Sequence, residues 1–145
     1  MQTEPVAVIG SKFPDIVIPL LDAAKHSVRV LVYDWRFYPT ISGSPVSRFN
    51  AAVFAAVARG VGVRALVNND AVAARLRVAK CDARVLHSAR LLHTKMLLVD
   101  DTQLVIGSHN YTQNAFSLNE EASVLVTLPS SENDFASYFD ALWGV

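Results

Sequence analysis

Four side chains in the stretch His93–Asn110 have the types and spacing for phosphoryl chemistry: His93, Lys95, Ser108 and Asn110. An imidazole can attack phosphorus or take up a proton near neutral pH. An ammonium two residues along stabilises charge on the non-bridging oxygens. Ser108 and Asn110 add hydroxyl and amide donors for the same oxygens, and Gly107 lets the backbone approach closely. The set lacks the clustered carboxylate oxygens that magnesium wants, so neither a metal nor an organic cofactor is expected. A nucleophilic imidazole also needs its second ring nitrogen held, usually by a carboxylate. Glu121 is the first candidate for that role and Glu120 the second.

A hairpin must bring these groups together. Met96-Leu97-Leu98-Val99 and Leu104-Val105-Ile106 are short apolar runs on either side of Asp100-Asp101-Thr102, a turn signal. Folded about that turn, facing residues have numbers that sum to about 202. His93 then lies opposite residue 109 and Lys95 opposite residue 107, so both polar ends meet at the open end of the hairpin. His93 and Lys95, two apart on one strand, share a face.

Around the hairpin the chain alternates helix and strand patterns. Pro5–Ile9 reads as a first strand, and Ile16, Leu20, Leu21 and Ala24 have helical spacing, with Pro19 either starting or kinking that helix. Val28–Tyr33 is β-branched and predicts a central strand. Asp34–Ser47 predicts a long loop that carries Trp35 and Arg36 as candidate substrate contacts, Trp35 being equally suited to anchoring the loop. A helix over Val46–Arg59 is capped by Gly60. It leads to a strand over Val61–Val67 and a helix over Ala71–Lys80 with Asp70 as N-cap. Ala83–Leu86 is a short strand. After the hairpin come a polar loop over Tyr111–Asn119, a strand over Ala122–Leu128, and a helix over Glu132–Trp143 with Phe135, Phe139, Leu142 and Trp143 facing inward. The pattern predicts an α/β fold, a mixed β-sheet flanked by helices, as a single domain over residues 1–145.

Composition narrows the function classes. Hydrophobic residues make up 52% of 145, which leaves room for a buried subunit interface. The one cysteine, Cys81, excludes an internal disulfide and a cysteine-based zinc cluster, and is expected to be buried. No apolar run approaches the ~18 residues of a membrane span, and MQTEPVAVIG lacks the basic and apolar regions of a signal peptide. The expectation is a cytoplasmic protein without stable membrane association. Charge is uneven although the total is zero: residues 59–95 carry eight basic and two acidic groups, and residues 96–145 carry seven acidic groups and no Lys or Arg. The basic block leads into His93 and suits an anionic substrate. Arg75 and Arg77 within it read as a solvated helix face. A neutral total argues against strong, general nucleic-acid binding.

The spacing His93-x-Lys95-x4-Asp100-x6-Gly107-Ser108-x-Asn110 resembles the HKD signature of the phospholipase D superfamily at each defining position. ARGVGVRALVNN is similar to the family's helix-to-strand segment before the motif, and Asn119-x-Glu121 to its downstream glutamate. The resemblance covers about Ala7 to Trp143. It implies the phospholipase D/nuclease-like sandwich and, with one motif in place of two, the small single-motif branch exemplified by bacterial endonucleases. There a homodimer shares one site: His93 of one subunit attacks phosphorus, and His93 of the other protonates the leaving oxygen and then activates water. Lys95, Ser108 and Asn110 would hold the phosphate, Glu121 would orient His93, and Asp100 and Gly107 would be structural. Asn68 ends its strand where many relatives have Asp. His109, turned away from Ser108 and Asn110, is expected to pack or face solvent, as are His26 and His87.

The leading expectation is a metal-independent endonuclease acting on DNA or RNA as a homodimer. A phospholipase or phosphatidyl transferase ranks second, because no amphipathic membrane helix is evident. A non-catalytic nucleic-acid-binding module ranks third, since binding alone does not call for His93 and Lys95.

Overall fold

A computed structural model describes residues 4–39 and 41–144. Seven strands form one mixed sheet in the order β1-β7-β6-β5-β2-β3-β4. They are β1 (Val6–Ile9), β2 (Ser27–Val32), β3 (Gly62–Val67), β4 (Asp82–Val85), β5 (Lys95–Val99), β6 (Gln103–Gly107) and β7 (Ala122–Thr127). β2, β3 and β4 run parallel through helical crossovers, and the remaining pairs are antiparallel.

Side-chain alternation loads both faces of the middle strands. On β5, Leu97 and Val99 join one apolar cluster while Met96 and Leu98 join the other. The larger cluster packs under α1 (Phe13–Asp22), α2 (Pro45–Ala58), α3 (Asp70–Val78) and α4 (Gln113–Ser117). The smaller one lies under α5 (Asp134–Trp143) alone, whose Phe139 is fully buried with Phe135, Leu142 and Trp143 packed around it. Cys81 is buried in the larger cluster.

Local chemistry explains most element ends. Gly60, at φ +96°, closes α2: its N–H donates to Val57 and that of Val61 to Ala56, the paired bonds of a Schellman cap. Lys80 closes α3 in the same way at φ 71°, without glycine. Three expectations need correction. The N-cap of α3 is Asn69, whose side chain accepts from the Val72 N–H; Asp70 lies one residue inside, where its charge favours the helix N-terminus. α1 begins at Phe13, with Pro14 in its first turn, so Pro19 does not start it but lies in its interior with its ring exposed. The polar-looking loop after Asn110 contains α4, capped by Thr112 and anchored by buried Ala115 and Phe116. That helix has five residues, too short for its periodicity to show in the sequence.

Candidate active site

The hairpin pairs as its apolar pattern requires: Met96 faces Ile106 and Leu97 faces Val105, the expected register. Asp100 and Asp101 both take positive φ (51° and 62°) in its turn. This backbone is strained for most side chains but accessible to Asp. The Asp100 carboxylate accepts from the backbone N–H groups of Lys25, His26 and Ser27 at 2.7–3.3 Å. Burial opposes its ionisation, but these three donors outweigh burial and hold the carboxyl below its ordinary value. Asp100 is therefore a tie between the hairpin and the start of β2, about a strand's length from the chemistry.

The open end gathers the reactive groups. There β2 and β3 end, β5 begins, β6 ends and β7 begins. His93 is exposed just before β5, and the Lys95 Nζ lies 3.0 and 3.2 Å from its two ring nitrogens. Near-equal distances place a cation beside the ring rather than in one directed bond. Tyr33, following β2, flanks both: its ring centroid is 5.0 Å from that of His93 and 5.4 Å from Nζ. Partial burial lowers the pKa of Lys95, opposed by the charge of Glu121.

Gly107 allows the next contact. A Cβ there would overlap the Ser123 Cα and Oγ and the Ala122 carbonyl, so only glycine lets β6 lie this close to β7. Ser108 then donates its backbone N–H to Ala122 O (3.0 Å), and its hydroxyl donates to Glu121 Oε1 (2.6 Å) while accepting from the Ala122 N–H (2.9 Å). Asn119 Nδ2 donates to Glu121 Oε2 at 3.1 Å. Glu121 is thus bonded to Ser108 and Asn119 and not, within its own chain, to His93. Within one chain the expected carboxylate–imidazole bond is not formed, and the Glu121 oxygens accept from Ser108 and Asn119 instead. Glu120 is exposed, with no hydrogen bond to His93 either.

Asn110 is positioned from the other side. Its Oδ1 accepts from the Asp34 N–H (3.1 Å), and flanking backbone bonds, Tyr111 N to Asp34 O and Arg36 N to Tyr111 O, lace the two loops together. With Oδ1 used, the N–H groups of Asn110 remain for a ligand. Trp35 is not a substrate contact. It is 1% exposed, stacks among Phe37, Phe49 and Tyr111, and donates its indole N–H to Asn50. Arg36 is exposed and paired with Asp34 at 2.9 Å, at the edge of the site. His109 is 1% exposed and packs on Phe13. The Gly10 carbonyl can only accept, so Nε2–H donates to it and Nδ1 accepts from Ser123 Oγ. Burial lowers its pKa, opposed by the Gly10 carbonyl and by Glu121. His26 and His87 are exposed.

Two positioning residues escape a sequence reading. Asn68 Nδ2 donates to Tyr33 O (3.0 Å) and to Leu92 O (2.8 Å), fixing both the aromatic neighbour of His93 and the residue before it. An ionised aspartate could donate neither bond, so the amide has a clear role. Tyr33 shows only as the end of an apolar strand; its position at the carboxyl end of a parallel strand was the available signal. The basic block is also less focused than its composition suggests. Arg59 and Arg77 bond to backbone carbonyls, and Arg64 and Arg84 lie over the Trp143 ring. Their charges are scattered because the strands and helices carrying them point in different directions.

The site is therefore a cluster of His, Lys, Ser, Asn and Glu at the end of a mixed α/β sheet, a set suited to phosphoryl chemistry. Residues 17–143 match the family described as cardiolipin synthase, phospholipase D-like domain. The chain belongs to this family, within the phospholipase D superfamily. It is 28% identical to mitochondrial cardiolipin hydrolase of Xenopus laevis over 145 residues; the match covers 96% of this chain and only 64% of that relative. Its fold is similar to that of Nuc, a phospholipase D family member from Salmonella typhimurium, with TM-score 0.78, 24% identity, and 97% and 95% of the two chains covered. NucT from Helicobacter pylori superposes with TM-score 0.75 at 16% identity, covering 97% of this chain and 96% of its own. Among the described residues, no helix is long and apolar enough to cross a membrane.

Proposed function

We propose that the protein is a metal-independent nuclease that cleaves nucleic-acid phosphodiesters through a phosphohistidine, at a site completed by a second copy of the chain. The observation that carries this reading is the convergence of His93, Lys95, Ser108 and Asn110 on one sheet end, with a single exposed imidazole among them. His93 attacks phosphorus and forms a P–N bond as the P–O bond to the leaving nucleotide breaks. The leaving alkoxide needs a proton, and an imidazole whose nitrogen is bonding to phosphorus cannot supply it. The second His93 of a homodimer gives that proton, then takes one from the water that releases the phosphate. Lys95, the Ser108 hydroxyl and the Asn110 amide hold the non-bridging oxygens. Because Glu121 is bonded within its own chain to Ser108 and Asn119, it acts on the phosphate-binding side, and the ring of His93 is steadied by Lys95 and Tyr33.

A phospholipid reading is favoured by the family description and by the name of the Xenopus relative. One assay separates the two. Single- and double-stranded DNA, RNA and cardiolipin vesicles are incubated with the protein in excess EDTA. The proposal expects nucleic-acid cleavage that survives EDTA and an acid-labile phosphoprotein adduct on His93. Loss of turnover in EDTA would remove the metal-free step. Cleavage of cardiolipin but of no nucleic acid would replace the substrate. Sedimentation showing only monomer under active conditions would remove the shared site.

A further inference from the structure

Beside the catalytic cluster lies an open cleft of about 700 Å³, bounded by the loop after β2, by α2 and by the start of α3. Its size is that of a small-ligand site. Its walls are aromatic and cationic. Phe37 and Phe54 are near parallel (9°, centroids 6.2 Å apart), and Trp35 continues the ladder behind Phe37 at 19°. The Arg75 guanidinium lies over both outer rings, 4.9 Å from the Phe54 centroid and 5.4 Å from that of Phe37. Arg36 and Tyr38 form the opposite rim. The only acidic residue in the lining is Asp34, already paired with Arg36. Arg75 is exposed on its helix face, as its sequence suggests, and it also lies over two rings of the cleft wall.

The cleft adjoins the reaction centre without including it: His93, Lys95, Ser108 and Asn110 are not in its lining. Asp34 and Arg36 line it, and the same short segment holds Asn110 through the Asp34 N–H and Tyr111 through the Arg36 N–H.

We propose that this cleft is a subsite for an unpaired nucleotide flanking the scissile phosphate, its base stacked against the Phe37–Arg75–Phe54 wall and its phosphate facing Arg36. The proposal rests on the nuclease reading and deepens it. Flat aromatic and guanidinium surfaces accept any base through its π-face, and a cationic rim suits the backbone. A base inside a duplex is already stacked and paired and cannot present that face, so single strands are the preferred substrate. An acyl chain would fill an apolar cleft equally well but has no use for two arginines.

The test uses the full chain on two single strands, an oligothymidylate and an oligomer of the same length built of abasic residues, which has the phosphates without the bases. Wild type is expected to cleave the oligothymidylate about 10-fold more efficiently, the scale of one base–aromatic stack. Arg75→Ala and Phe37→Ala lose that advantage and keep the wild-type rate on the abasic oligomer. Arg75→Lys, which keeps the charge but not the planar face, behaves like Arg75→Ala. Arg75 is exposed and forms no side-chain hydrogen bond among the described residues, so its variants should keep the fold, with circular dichroism as the check. Equal losses on both oligomers, or no loss on either, would overturn the subsite while leaving the nuclease intact. If wild type cleaves neither oligomer, the subsite fails, and the nuclease reading fails with it when duplex DNA and RNA are also left intact. If Arg75→Ala instead slows cardiolipin turnover, the cleft takes a lipid phosphate and the nucleotide subsite is overturned.

Discussion

The two ends of the β5–β6 hairpin are built from the same kinds of residue and do opposite things. At the closed end most polar groups have a partner, although Asp101 Oδ1 and Ser27 Oγ are buried without a hydrogen bond. Asp100 takes three backbone N–H groups, Asp101 faces Arg29 at 3.5 Å, and the Asp101 and Thr102 carbonyls accept from Asn133 and Leu128. At the open end His93 is exposed, its cationic neighbour is shared between two nitrogens, and Asn110 keeps its amide hydrogens. Saturated polar groups stabilise a fold, and groups with unused capacity bind something else. Polarity alone does not mark a site; the balance of partners does.

His93→Ala should break this comparison most sharply. Turnover falls by about 10³-fold or more, the scale expected when a nucleophile and acid–base group is lost. The thermal midpoint stays put because the side chain is exposed. A large drop in the midpoint would mean that the open end is structural after all. Gly107→Ala should damage both functions at once. Its Cβ must push β6 from β7, at a cost of about 3 kcal/mol in denaturant unfolding, and the displaced Ser108 lowers activity in the molecules that remain folded.

Asp100→Ala should do the reverse of His93→Ala, lowering stability by about 2 kcal/mol through its orphaned donors while leaving turnover per folded molecule unchanged. The sign of the pH effect follows from its lowered pKa. The stabilisation is complete above the ordinary aspartate value and is lost as pH falls through the lower folded value, so the variant's deficit should shrink in acid to the strain of Ala at positive φ. Asn68→Asp should have the smallest effect, about a 10-fold fall in kcat with little change in KM, since the lost donor loosens Leu92 and Tyr33 rather than a substrate contact. Partial recovery at low pH, where a protonated carboxyl can donate, would separate positioning from mere destabilisation.

Much of this was legible before the fold. The hairpin register, the strands around it, the burial of Cys81 and the inward aromatics of α5 follow from two-residue and helical periodicities, which act over short distances. The convergence of His93 and Lys95 with Ser108 and Asn110 follows from the same register. α4 was not legible, nor was the partner of Glu121, because five residues carry little periodicity and a carboxylate between several donors is claimed by whichever the backbone brings nearest. Trp35 and Arg36 are adjacent in the chain and looked alike as contacts; burial sent one into the core and left the other at the rim.

The sequence by itself determined which groups do chemistry and that they meet, because a hairpin's pairing is a local consequence of alternation and turn. Only the tertiary structure decided what holds them. Asn68 reaching the residue before His93, Asp34 holding Asn110, and Arg75 stacked on Phe37 and Phe54 join segments between 20 and 76 residues apart. No local pattern encodes such contacts. They arise when the sheet fixes which strand ends lie side by side.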